Sequence, residues 1–232
     1  MGKVRSLIGH FTKGEIILWI GSVLLIAVSF VIFDRENYLT LTASLIGATS
    51  LIFCAKGNPI GQALIIVFGV FYGIISYSFA YYGEMITYLG LTAPMAVVAL
   101  VSWLRNPYNG NRAQVKVNSI KGREIPFMLA ITAAVTVVFY FVLGYFHTAN
   151  LTVSTFSVTT SFIAVYLTFR RSPFFALAYA ANDAVLIVLW VLAAVEDVSY
   201  LSVVVCFVIF LANDIYGFVN WLRMRKRQET GK

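Results

Sequence analysis

Eight apolar runs, each close to the 20 or so residues that a helix needs to cross a bilayer, follow one another along this chain with only short connections between them. Their approximate limits are 16–33, 38–54, 60–82, 86–104, 125–145, 151–169, 174–195 and 200–222. No stretch remains for a soluble domain. With 60% hydrophobic and 12% charged residues, the composition lies far from the roughly 25% charged residues of soluble domains. The fold class expected is an all-α integral membrane protein of eight transmembrane helices. The first run leads at once into others and has no convincing small-residue cleavage site, so it is read as a span and not as a signal peptide.

The basic residues fix a direction. With both termini inside, sixteen of the seventeen Lys and Arg fall in cytoplasmic segments, from Lys3, Arg5 and Lys13 through Lys56, the 105–124 connection, Arg170 and Arg171 to Arg223, Arg225, Lys226, Arg227 and Lys232. Only Arg35 lies outside, and omitting any one span would scramble this alternation. The outer connections are short and acidic, with Asp34, Glu36, Glu84, Glu196 and Asp197. A net charge of +7 does not indicate nucleic acid, because the basic residues form no aromatic-interleaved face; the basic end at 223–227 is a topological signal that meets anionic lipid.

An internal repeat is visible. Val101-Ser102-Trp103-Leu104-Arg105 closes the fourth span as Val219-Asn220-Trp221-Leu222-Arg223 closes the eighth, and Asn58-Pro59 opens the third as Ser172-Pro173 opens the seventh. More weakly, the Thr/Ser-rich start at Leu39 matches that at Leu151. Spans two to four therefore pair with spans six to eight as parallel repeats, with the fifth span as connector, an organisation of transporters that bind substrate at the repeat interface. The expected units are a cytoplasmic arm and extra helix (1–35), a first three-helix repeat (36–104), a loop and connector (105–148), a second repeat (149–223) and a basic tail (224–232).

Two carboxylates sit at membrane depth. Asn182-Asp183 and Asn213-Asp214 lie inside the last two apolar runs, each Asn eight residues before a Trp, at 190 and 221. At about 1.5 Å of rise per residue both acids fall near mid-membrane, where an ionisable group marks a functional site. No embedded Lys or Arg is available to pair with either. Such a group must reach water, bind a proton or meet a cation. Tyr179, Asn182, Asp183, Leu186 and Trp190 share one helical face, as do Asn213, Tyr216, Gly217 and Asn220, and as do Ser154, Ser157, Ser161 and Thr168. The plainer alternatives stand beside this: Asn, Ser and Thr that only bond across helices, a Gly69-xxx-Gly73 packing face, and Trp103 and Trp221 as interface-belt anchors. On the third span Gln62, Tyr72 and Tyr77 are further candidates to line a cavity.

Enzyme chemistry finds no support. His10 and His147 lie outside the spans, no metal or phosphate-binding motif occurs, and Cys54 and Cys206 read as small core residues. An aspartyl protease would need two carboxyls within about 3 Å sharing a proton, whereas here each is flanked by Asn with no Gly-x-Gly-Asp element. No metal site and no cofactor are expected.

The ending Asn213-Asp214-x-Tyr216-Gly217-xxx-Trp221, on a parallel three-plus-one-plus-three arrangement with an extra N-terminal helix, resembles the PnuC vitamin transporters, which are built like the SWEET sugar transporters with a different connection order. The resemblance spans the chain apart from its termini. It implies uptake of nicotinamide riboside for NAD biosynthesis by facilitated diffusion across a bacterial inner membrane, a homotrimer with one pathway per protomer, and trapping by a cytoplasmic kinase. Relatives of the same fold carry thiamine or riboflavin, so those cargoes stay open, as do proton coupling through Asp183 or Asp214 and a structural membrane subunit. Nicotinamide riboside is a pyridinium cation with an amide and a ribose: carboxylates attract the charge, aromatic faces stack on the ring, and Asn amides bond its polar groups. The expected site is Tyr179, Asn182, Asp183, Asn213, Asp214, Tyr216 and Asn220, capped from outside by Trp190, with walls from Phe68, Phe71 and Tyr72 of the first repeat.

Overall fold

A computed structural model describes residues 11–78 and 82–231. The N-terminal arm with Lys3, Arg5 and His10, the end of the third apolar run and Lys232 lie outside the described residues. Eight helices are long and apolar enough to span a membrane: α1 (Lys13–Phe33), α2 (Tyr38–Ala55), α3 (Pro59–Ser78), α4 (Tyr82–Arg105), α5 (Glu124–Tyr145), α6 (Leu151–Phe169), α7 (Phe174–Ala194) and α8 (Leu201–Glu229). The basic stretch after 223, expected as a tail, continues α8 to Glu229.

Helices α2, α3, α4, α6, α7 and α8 close into a ring. Within each half, α2 packs on α3 and α3 on α4, as α6 packs on α7 and α7 on α8; the halves join where α8 meets α2 and where α4 meets α6. The polar stripes of α6 and α7 turn into this ring, while α1 and α5 lie outside it on α2 and α6 and expose apolar residues such as Leu24, Leu25, Val137, Val138 and Phe141. Aliphatic surface of this extent suits lipid, which is as apolar as the side chains that meet it.

Sequence correspondences become shared contacts at the basic end. The α2–α3 turn places Gly57 at φ +67 and the α6–α7 turn places Arg171 at φ +58; in each, a left-handed residue after the helix returns its N–H to the preceding turn, to Cys54 O and to Thr168 O. Those same carbonyls accept a second bond from the closing tryptophan of the other half. Trp221 Nε1 donates to Cys54 O at 2.8 Å and Trp103 Nε1 to Thr168 O at 2.9 Å; beside them Asn220 Nδ2 donates to Ala55 O and Ser102 Oγ to Phe169 O. Both indoles are fully buried, with ring centroids 5.4 Å apart. The reading of Trp103 and Trp221 as interface-belt anchors is therefore corrected: an indole in the belt keeps its N–H in water, and these give theirs to carbonyls at the junctions of the two halves.

The outer helices repeat a further device. Glu15, in the first turn of α1, pairs with Lys56 at 2.9 Å, and Glu124, in the first turn of α5, pairs with Arg170 at 2.8 Å. Glu15 also completes a capping box with Thr12. The 105–124 connection is ordered. An Asn109-Gly110 turn, both residues at positive φ, joins two short antiparallel strands, β1 (Pro107–Tyr108) and β2 (Asn111–Val115). Val115 N–H reaches Gly57 O, Gln228 brackets Val115 and Val117, and Asn118 bonds Arg170 O and Arg171 O, so the connection ties both interhelical turns to the extension of α8.

Close packing of α2 on α3 rests on Gly61, where an added Cβ would lie 2.6 Å from Cys54 N and 2.9 Å from Ser50 O. Backbone atoms cannot swing aside as a side chain can. Gly61→Ala should cost about 2 kcal/mol of stability, seen as a lowered Tm of the detergent-purified protein.

Candidate functional site

A buried cavity lies inside the ring, bounded by Gly47, Ser50 and Leu51 of α2, Ile65 and Phe68 of α3, Tyr88 and Thr92 of α4, Ser161 of α6, Tyr179, Asn182 and Asp183 of α7, and Phe207, Phe210 and Asp214 of α8. Its volume is about 50 Å³, room for a water or two. Helix α4 enters it through an irregularity. Residues Tyr88–Thr92 form a π-turn in which Ala93 N–H bonds Tyr88 O; Pro94 follows and has no N–H for the regular ladder. Wide turns of this kind gather at functional sites, and this one places Tyr88 and Thr92 on the cavity.

Asp183 and Asp214 line the same cavity from the neighbouring helices α7 and α8. Both are buried, and Asp183 Oδ2 has no partner. Asn182 is anchored by its carbonyl: Oδ1 accepts from Thr160 Oγ1 at 2.8 Å and from Ser161 Oγ at 3.0 Å. These α6 hydroxyls orient the amide, so that Nδ2 is the donor left to the cavity. No Lys or Arg lines it among the described residues.

Aromatic rings close both ends. Toward the acidic end, Tyr72 packs on Tyr88 at 4.4 Å, Phe207 at 5.9 Å and Trp190 at 6.1 Å, and Trp190 on Tyr200 at 5.5 Å. Phe68 bridges Tyr72 and Phe210. Toward the basic end, Phe175 meets Trp221 at 4.8 Å, Trp103 at 6.1 Å and Tyr179 at 6.2 Å.

Of the residues expected at the site, Tyr179, Asn182, Asp183, Asp214 and Phe68 line the cavity, and Tyr72 and Trp190 stand in the aromatic layer above it. The other three of α8 are held elsewhere. Asn213 Nδ2 bonds Ser22 Oγ of α1 at 3.0 Å, Tyr216 OH bonds Glu15 Oε1 at 3.0 Å, and Asn220 bonds Ala55 O. Grouping Asn213, Tyr216 and Asn220 with the cavity is corrected on this geometry: their common face turns toward α1 and α2, while Asp214 looks into the ring. Tyr77 is exposed and Gln62 is spent on Cys54 Sγ. Phe71 packs against the core cluster that holds Phe68 and Tyr72, without lining the cavity. Sequence reasoning missed Tyr88, Thr92, Phe207 and Phe210, and among these only Pro94 in the middle of an apolar run gave a sign, of the turn that carries Tyr88 and Thr92.

Comparisons agree with this architecture. A solved crystal structure of the vitamin B3 transporter PnuC superposes with a TM-score of 0.84 at 25% identity, covering 97% of each chain. The nicotinamide riboside transporter PnuC of Neisseria mucosa is 26% identical over 228 residues, 96% of this chain and 86% of the relative. Both relatives are named as transporters and not as enzymes. Since the model of the nicotinamide mononucleotide transporter family matches residues 37–223, both halves of the ring included, the chain belongs to that family of multi-pass membrane transporters.

Proposed function

We propose that this protein takes up nicotinamide riboside by facilitated diffusion across a bacterial inner membrane, holding it mid-membrane in the cavity between the two halves. The observation that carries the reading is the charge of that cavity: two carboxyl groups, aromatic walls and no basic side chain. A pyridinium ring suits such a place, through attraction to the carboxylates and stacking on Tyr and Phe faces. The mononucleotide, which adds a phosphate, does not; an anion there meets carboxylates and no Lys or Arg. The riboside is therefore favoured over the nucleotide that gives the family its name. Neutral riboflavin gains nothing from the acids. Thiamine is cationic and tests the fit of the ring.

A volume of about 50 Å³ compares with the 300 Å³ or more of ordinary ligand pockets, so loading requires the ring to open. The aromatic layers at its two ends are the natural parts to move. Both termini on the cytoplasmic side, a homotrimer with one pathway per protomer and capture of the product by a cytoplasmic kinase complete the reading; the first is supported by the concentration of basic residues at one end.

Calorimetric titration of the detergent-purified protein with the riboside, the mononucleotide, thiamine and riboflavin tests it. Tight binding of the riboside with none of the mononucleotide is the expected result, and preference for any of the others reassigns the cargo. Asn182→Ala should weaken riboside binding more than tenfold without changing Tm, because it removes the one oriented amide donor; an unchanged affinity counts against this placement. A second reading, proton coupling, is favoured by two buried carboxyl groups on one small cavity without a basic side chain, since intramembrane acids also serve proton relays. Uptake into proteoliposomes that ignores an imposed pH gradient rejects it.

A further inference from the structure

Glu84 was expected in a short outer connection, where a carboxylate meets water. The structure corrects this: α4 begins at Tyr82, and Glu84, in its first turn, is only 2% exposed. Its surroundings barely satisfy it. Oε1 accepts one long bond from Ser157 Oγ, 3.3 Å, and Oε2 has no partner. Neither Lys nor Arg is paired with it among the described residues. The cost of burying an unpaired carboxylate is large, and a cap at the start of a helix does not require it, because an exposed Glu in the first turn serves the helix dipole equally well.

Its position relative to the cavity gives the burial a purpose. Glu84 lies one helical turn before Tyr88, about 6 Å along α4, and Tyr88 forms with Tyr72 the closest-packed ring pair of the aromatic layer. Tyr88 in turn lines the cavity together with Asp183. Carboxyl, aromatic pair and carboxyl pair thus follow one another from the acidic end inward, in the order Glu84, Tyr72 with Tyr88, then Asp183 with Asp214.

We propose that Glu84 is a second cation-binding station on the entry side of the pathway, where the positive ring of an aromatic cation rests against Tyr72 and Tyr88 before passing to Asp183 and Asp214. This rests on the transport reading above. A charge offered stations of the opposite sign at each stage does not lose its hydration to a purely apolar gate, and an anion or neutral analogue gains no such help. Glu84 acts on the passage of charge, so its effect should follow the charge of the substrate and not its shape.

The experiment compares uptake of nicotinamide riboside with that of its reduced form, an uncharged dihydropyridine of nearly the same outline, in proteoliposomes of the full chain. Glu84→Gln should raise KM for the cationic riboside about tenfold and leave that for the reduced riboside within twofold, with Tm unchanged. Glu84→Asp, which keeps the charge but withdraws it by one methylene, should fall between and keeps the test usable where the Gln variant does not assemble. Equal effects on both substrates would make Glu84 a structural acid and overturn the proposal; so would an effect seen only as a lost response to a sodium or proton gradient. If the unaltered protein carries neither riboside, it is the transport reading that fails, which is a different result from a wild-type-like Glu84→Gln.

Discussion

Replacing both Asp183 and Asp214 by Asn should weaken nicotinamide riboside binding by about 100-fold or more, while either single replacement costs about tenfold or less. The asymmetry follows from the two carboxyls sharing one small cavity. Two carboxyl groups on one small cavity can stand in for each other in attracting a cation, so the cavity keeps an acid when one member becomes an amide. Only the double variant leaves a pyridinium ring in a buried, neutral site. Losing one partner of a buried charge pair is worth about 2–5 kcal/mol, and about 2.8 kcal/mol corresponds to the 100-fold expected. Titration calorimetry on the three variants decides the matter. A double variant that binds within threefold of the parent would mean that charge does not hold the substrate, and two single variants that each lose 100-fold would mean that the carboxyls act separately. Because residues coupled through a shared cavity are not additive, the pattern across the three is the informative quantity.

Trp221→Ala should be among the most destabilising single changes in the chain, at about 3–5 kcal/mol. The indole is fully buried, packs on Trp103 and Phe175, and bonds Cys54 O across the α8–α2 junction. Truncation leaves both a cavity and a lost bond. At about 2–4 °C per kcal/mol for a chain of this size, the Tm should fall by roughly 10 °C, and Trp103→Ala, which loses the bond to Thr168 O across the α6–α4 junction, should match it. Trp221→Phe separates the contributions, since it keeps most of the packing and deletes only the donor. Variants that retain the parent Tm would place these rings in a loose seam and not in the joint between the halves.

The correspondence of Trp103 with Trp221, and of the two prolines that open α3 and α7, was legible in the sequence, but its meaning was not. Sequence alignment pairs each residue with its counterpart, whereas the folded chain crosses them, each closing tryptophan bonding the first ring helix of the opposite half. Read as a connector and an extra helix, α5 and α1 nonetheless repeat one device, a first-turn Glu paired with the basic residue after the next helix. Nothing in the local pattern marks Glu15 and Glu124 as equivalents, because their partners, Lys56 and Arg170, lie 41 and 46 residues away.

What the sequence determined by itself is whatever depends on solvent. Runs of apolar residues give eight helices, the basic residues gather in the connections at one end of them, and carboxylates stand out at helix centres, because each of these follows from the cost of placing a group in hydrocarbon. Which face of a helix looks inward was decided only by the tertiary structure. On α8 a single polar stripe was expected to serve one site, yet Asp214 looks into the ring while Asn213, Tyr216 and Asn220 bond α1 and α2. Adjacent positions on a helix differ by about 100°, and a polar group in a membrane bundle is satisfied equally well by a cavity or by a neighbouring helix. Glu84 shows the converse, an acid that hydropathy assigns to water and that packing buries one helical turn before Tyr88. Composition sets the cost of burying a group, and only the packing of the whole chain decides which groups are buried and what they face.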